Sequence, residues 1–62
     1  MYDRFQTLLN DRHLRTSNVC AATGVKPTVM SYWKHGKTKP NGESMYKIAK
    51  FFGVPMEYFY EE

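Results

Sequence analysis

Residues 24–40 read GVKPTVMSYWKHGKTKP, and their punctuation leaves room for one short helix followed by a loop. Pro27 suits a first helical position, where its missing N–H costs nothing. Gly36 is a natural left-handed stop, and Pro40 closes the lysine-rich loop beyond it. Between these marks Met30 and Trp33 lie three apart and Val29 four before Trp33, which makes one apolar stripe. The opposite side carries Thr28, Ser31, Tyr32 and His35, with Lys26 and Pro27 at its leading end. Lys26, Lys34, Lys37, Lys39 and His35 crowd around this helix without an acid among them.

The rest of the chain must support that helix with little material. A chain of 62 residues buries only about 60% of the surface it exposes when unfolded. The lone Cys20 excludes an internal disulfide and points to a reducing, cytoplasmic setting. Cys20, His13 and His35 lack the paired spacing of a zinc site, so no metal and no cofactor is expected. Stability must come from packing, helped by a second copy of the chain if one binds. No apolar run approaches the roughly 18 residues of a membrane span. The opening MYDRFQTLLND is charged early and has no signal-peptide profile. With no repeat, linker or low-complexity tract, residues 1–62 are expected to form one domain.

Phe5, Leu8 and Leu9 share a helical face, which predicts a first helix over about residues 3–12, with Leu14 just beyond. A second helix is expected over 16–23, capped by Thr16 or Ser17, with Val19, Cys20 and Thr23 facing inward and Gly24 making the turn. Asn41 is a good cap for a fourth helix, where Met45, Ile48, Ala49 and Phe52 repeat at i, i+3, i+4 and i+7. Gly53 stops it, and Pro55 starts a last short turn of helix carrying Met56 and Phe59. No stretch alternates with period two. The expected fold class is therefore all-α, a compact bundle of about five short helices.

The net charge is only +3, but it is segregated. Arg12, Arg15, Lys26, Lys34, Lys37 and Lys39 span a region without Asp or Glu, while Asp3, Asp11, Glu43, Glu57, Glu61 and Glu62 lie outside it. Such a distribution fits either a polyanionic partner or a solvated face. No nucleophile–base–orienter set, glycine-rich phosphate loop or paired carboxylates suggest an enzyme, and no small-molecule ligand is evident. Single-stranded RNA is disfavoured because the outward face of the third helix lacks an aromatic stacking platform. In the tail, Phe51, Tyr58 and Tyr60 are candidates for exposure, either as a partner interface or as the completion of an undersized core.

Two short helices joined through a glycine, then a basic loop, suggest a helix-turn-helix. Val19, Cys20, Gly24, Val25, Met30 and Trp33, followed by Gly36-Lys37 and Pro40, resemble the phage repressor and Cro family, also called the Xre type. The ending KIAKFFGVPMEYF (47–59) resembles that family's fourth and fifth helices, and Phe5, Leu8, Arg12 and Leu14 fit its first. The chain departs from the family pattern at Thr23, usually Leu, and at Lys26, often Ser or Thr. It departs again at Leu9 and Lys34, which stand where members often pair an Arg with a Glu.

The resemblance implies a lambda-repressor-like domain that binds double-stranded DNA. It places base-reading positions at Lys26, Pro27, Thr28 and Tyr32, with Ser31 nearby. It implies phosphate contacts at Arg15, Thr16, His35, Lys37, Thr38 and Lys39, and at the helix start around Asn41 and Gly42. His35 also reads simply as a helix-terminal cation. Family members often dimerise through the tail, so a homodimer, at least on DNA, is expected to use Phe51, Tyr58 and Tyr60. The expected role is a transcriptional repressor acting by promoter occupancy, cytoplasmic and nucleoid-associated when bound. The rival reading is a helical protein–protein interaction module whose basic face is incidental.

Overall fold

The computed structural model describes residues 1–60, and these form five helices and no strand. They are α1 (Tyr2–Asp11), α2 (Thr16–Thr23), α3 (Pro27–Lys34), α4 (Gly42–Phe52) and α5 (Glu57–Tyr60). Helix α2 packs on α3 and α4, and α1 packs on α5, within an envelope of 25 × 24 × 20 Å. The first helix begins one residue earlier than its apolar spacing suggests. Tyr2 is already helical because its ring lies against Phe5 (5.5 Å between centroids) and edge-on to Trp33 (5.2 Å).

The core is an aromatic hub lined by aliphatic and methionine side chains. Phe5 is fully buried and meets Trp33 at 5.1 Å and Phe52 at 5.9 Å. Trp33 in turn meets Phe59 at 6.2 Å, so α1, α3, α4 and α5 share one cluster of rings. Ring pairs at such tilted or edge geometries add about 0.5–1.5 kcal/mol each beyond the burial of their area. Leu8, Leu9, Val19, Cys20, Val25, Met30, Met45, Ile48 and Ala49 belong to the same buried cluster. Cys20 is a small core residue where α2 approaches its neighbours. Burial raises its thiol pKa above the usual value, against the smaller pull of a backbone hydrogen bond, which leaves it a poor nucleophile.

The helix ends follow simple backbone chemistry. Asn41 caps α4 as expected, its Oδ1 accepting the Ser44 N–H at 2.8 Å. At α2 neither Thr16 nor Ser17 is the cap. Arg15 occupies that position, and Asn18 turns back so that its Oδ1 accepts the Arg15 N–H at 2.9 Å. The donor at the helix entrance is therefore satisfied from inside the first turn, a partner that a search for a capping Ser or Thr overlooks. The final helix also starts later than Pro55. Pro55 and Met56 form a turn whose carbonyls accept the N–H groups of Tyr58 and Phe59, both at 3.1 Å, and α5 proper runs from Glu57.

Helices α1 and α3 end with the same paired hydrogen bonds but different residues at the left-handed position. After α3, Gly36 (φ +73°) donates to the Trp33 carbonyl at 3.1 Å and Lys37 donates to Tyr32 at 2.9 Å. After α1 the equivalent residue is His13, at φ +55°, with bonds from His13 to Asn10 (3.3 Å) and from Leu14 to Leu9 (2.9 Å). A side chain held there costs about 1–2 kcal/mol that glycine avoids, partly offset by the extra freedom glycine gives the unfolded chain. His13→Gly should therefore stabilise the protein by about 0.5–1 kcal/mol, raising the melting temperature by a few degrees. A thermal melt with an unchanged or lower midpoint would show that the His13 side chain contributes more than the strain it imposes.

Candidate nucleic-acid interface

The outward surface of α3 follows from how its inward surface is spent. Met30 and Trp33 are buried and Val29 is half-buried, and they anchor the helix on the aromatic hub. Every other position from Lys26 to Lys39 is exposed, including Pro27, Thr28, Ser31, Tyr32, Lys34 and His35. Pro40, which closes the loop, is buried and ties the basic segment back to the body. An eight-residue helix is about 12 Å long, comparable with the width of a DNA major groove.

The entry to α3 is fixed by α2. Gly24 (φ +80°) donates to the Cys20 carbonyl at 2.9 Å and ends α2. Thr23, at the end of α2, turns its hydroxyl to use. Its Oγ1 donates to the Val19 carbonyl at 2.7 Å and accepts the Val25 N–H at 3.3 Å. The turn is therefore held by a polar clasp. Lys26 is the N-cap of α3 in extended backbone, its carbonyl accepting the Val29 N–H at 3.0 Å. Pro27 takes the first helical position, as its chemistry predicts.

The candidate phosphate contacts are placed around this helix with unequal freedom. Arg15 and Thr16 lie at the start of α2, Arg15 exposed and Thr16 half-buried. Beyond α3, the Lys37 ammonium lies 5.9 Å from the centre of the Tyr32 ring, and the Lys37 N–H also holds the Tyr32 carbonyl. Lys39 lies 5.8 Å over Tyr60, so this loop lysine touches an aromatic assigned from sequence to a dimer face. The Thr38 hydroxyl makes only a long 3.5 Å contact with the Lys39 carbonyl. At Asn41 the cap oxygen is engaged by Ser44, and Glu43 occupies the first turn of α4, 3.5 Å from Lys47. An acid there already complements the helix dipole, which lowers the appeal of that end for a second anion.

The tail aromatics have different neighbours. Phe51 and Tyr60 are exposed, but Tyr58 is half-buried against the core with the Arg4 guanidinium 4.9 Å from its ring, which corrects its expected exposure. Sequence reasoning missed Tyr46, the most exposed large hydrophobic at 55% and 5.9 Å from the Lys50 ammonium. Its place just after Met45, outside the i, i+3, i+4 stripe of α4, was the available signal. Among the described residues no cluster of His, Cys, Asp or Glu is arranged to hold a metal. Nor is any helix among them long and apolar enough to cross a membrane.

Two short helices joined through a left-handed glycine, with the second seated on the core by one face and bare on the other, define a helix-turn-helix unit. A family model described as helix-turn-helix matches residues 9–59. The chain belongs to that family, the Xre and lambda-repressor-like proteins, which are DNA-binding regulators. No curated protein and no solved structure matches the chain.

Proposed function

We propose that this protein is a sequence-specific regulator that places α3 in the major groove of double-stranded DNA. Lys26, Pro27, Thr28, Ser31 and Tyr32 face the base edges, while Arg15, Thr16, His35, Lys37, Thr38 and Lys39 meet phosphates on the flanks. The observation that carries this reading is the division of α3. All its buried side chains lie on one face, and its opposite face is exposed, acid-free and flanked by cations. Thr28 offers a hydroxyl to a base edge and a methyl to thymine, and Pro27 offers apolar contact. Phosphate contacts orient the protein, whereas contacts to base edges choose the sequence.

Regulation is by occupancy: the bound protein covers promoter DNA and excludes polymerase. Two copies associate on the duplex through the α4–α5 end, where Tyr46, Phe51 and Tyr60 are exposed. Half-sites then lie about 34 Å apart along the duplex. Sedimentation that finds only a monomer, with and without cognate duplex, would remove the dimer.

Selection from a random duplex pool, with affinities measured at two salt concentrations, tests the assignment residue by residue. Arg15 is a clean phosphate probe, because only its backbone takes part in capping α2. Arg15→Ala should weaken every sequence alike and make the salt slope shallower by about one unit. Thr28→Ala should change which sequences are enriched. Lys37→Ala should do both, since Lys37 lies against the Tyr32 ring. Uniform losses from all three variants would show that the reading face is assigned wrongly.

A further inference from the structure

We infer that Lys34 and Gln6 form an additional phosphate-binding cleft on the α1 side of the recognition helix, resting on the DNA-binding reading above. An open cleft of about 310 Å³ lies where α1, the start of α2 and α3 converge. Its apolar base includes Met30 and Pro27. Its polar lining comes from Tyr2, Gln6, Thr16, Ser31, Lys34 and His35. Each of these six side chains can donate a hydrogen bond and none is a carboxylate, which is the chemistry of an oxyanion site. Among the described residues Lys34 and His35 have no acidic partner within ion-pair distance.

Helical spacing explains why these groups share a cleft. Pro27, Ser31 and Lys34 fall at i, i+4 and i+7 along one flank of α3, with His35 just past its end, while Thr28 and Tyr32 fall further round towards the other flank. The Lys37–Tyr32 contact lies on that second flank. A duplex phosphate entering the cleft would be held by the Lys34 ammonium and the Gln6 amide, and would sit beside the Thr16 hydroxyl. Gln6 is partly preset for this, since its Nε2 already donates to Asn10 Oδ1 at 3.1 Å and retains a second hydrogen. The recognition helix is thereby clamped from both sides, by Lys34 and Gln6 towards one strand and by Lys37 towards the other.

The test is the salt dependence of binding to the best duplex recovered from the pool, with Lys34→Gln, Lys34→Arg, Gln6→Ala and Lys50→Gln compared after circular dichroism confirms each fold. Lys50→Gln removes the same charge from α4 beside Tyr46, so sedimentation on the duplex first confirms that its stoichiometry matches the parent's. Lys34→Gln should make the slope shallower by about 0.9, Lys34→Arg should retain it, and Lys50→Gln should leave it unchanged. Gln6→Ala should weaken binding without altering the slope or the preferred sequence. Replacing one duplex phosphate by an uncharged methylphosphonate should weaken the parent protein markedly and Lys34→Gln much less, since only the Gln6 contact is left there to lose, which locates the cleft's phosphate. A Lys34→Gln slope equal to the parent's, or an equal loss from Lys50→Gln, overturns the cleft while leaving DNA binding intact. Failure of the parent to bind any duplex overturns the functional reading and the cleft with it.

Discussion

Replacing Trp33 with alanine is expected to remove a large part of the protein's stability at room temperature. Truncating a buried Trp costs about 3–5 kcal/mol through lost burial and the cavity left behind. Folded domains have only roughly 0.05–0.15 kcal/mol of stability per residue, so a chain of 62 residues has only about 3–9 kcal/mol in total. Trp33 is 4% exposed and touches the rings of Tyr2, Phe5 and Phe59, so the loss reaches three helices at once. One effect opposes it: Trp33 Nε1 is buried with no hydrogen-bond partner among the described residues. Removing an unsatisfied donor recovers about 1–3 kcal/mol, less than the cavity costs in the alanine variant. Trp33→Phe keeps a ring in place and removes the orphan, so it should fall far closer to the parent. Urea titrations followed by circular dichroism check both; a cooperative alanine variant with a midpoint near the parent's would show that α3 is not anchored through this ring.

The second large effect is on binding. On the proposed assignment Arg15, Lys34, Lys37 and Lys39 would supply about four cationic contacts per copy, hence about eight for a dimer. With a slope of about −0.9 per contact, a rise from 50 to 200 mM salt should reduce dimer affinity roughly ten-thousand-fold. Four contacts from a monomer would reduce it only about a hundred-fold. Fluorescence anisotropy across this salt range therefore reports stoichiometry and mechanism together. A change below tenfold would mean that phosphates contribute little, and the basic segment would need another explanation.

Much of this architecture was legible in the sequence because the chain is so short. The i, i+3, i+4, i+7 repeat of Met45, Ile48, Ala49 and Phe52 fixed α4, and all four are buried. Pro27 and Gly36 bracketed α3 because each has one strong conformational preference. The misreadings share a different cause, side chains that act through partners outside their own local pattern. Asn18 caps α2 from within its first turn, where Thr16 or Ser17 was the expected cap. Tyr58 is drawn inward by Arg4, from the opposite end of the chain. At the candidate interface the outward face of α3 could be read by phase alone. The cleft joining Gln6 to Lys34 could not, because it depends on how α1 approaches α3.

The clean division of α3 also bears on how such a protein can change over generations. Substitutions at exposed positions away from special backbone usually alter stability by no more than about 0.5 kcal/mol. Thr28, Ser31 and Tyr32 are such positions, whereas Met30 and Trp33 on the same helix are not. A descendant can therefore try new residues against new operators without endangering its fold, and a duplicated copy can diverge in target while retaining the same body. The core beneath α3 stays fixed while the surface above it is open to inheritance and revision.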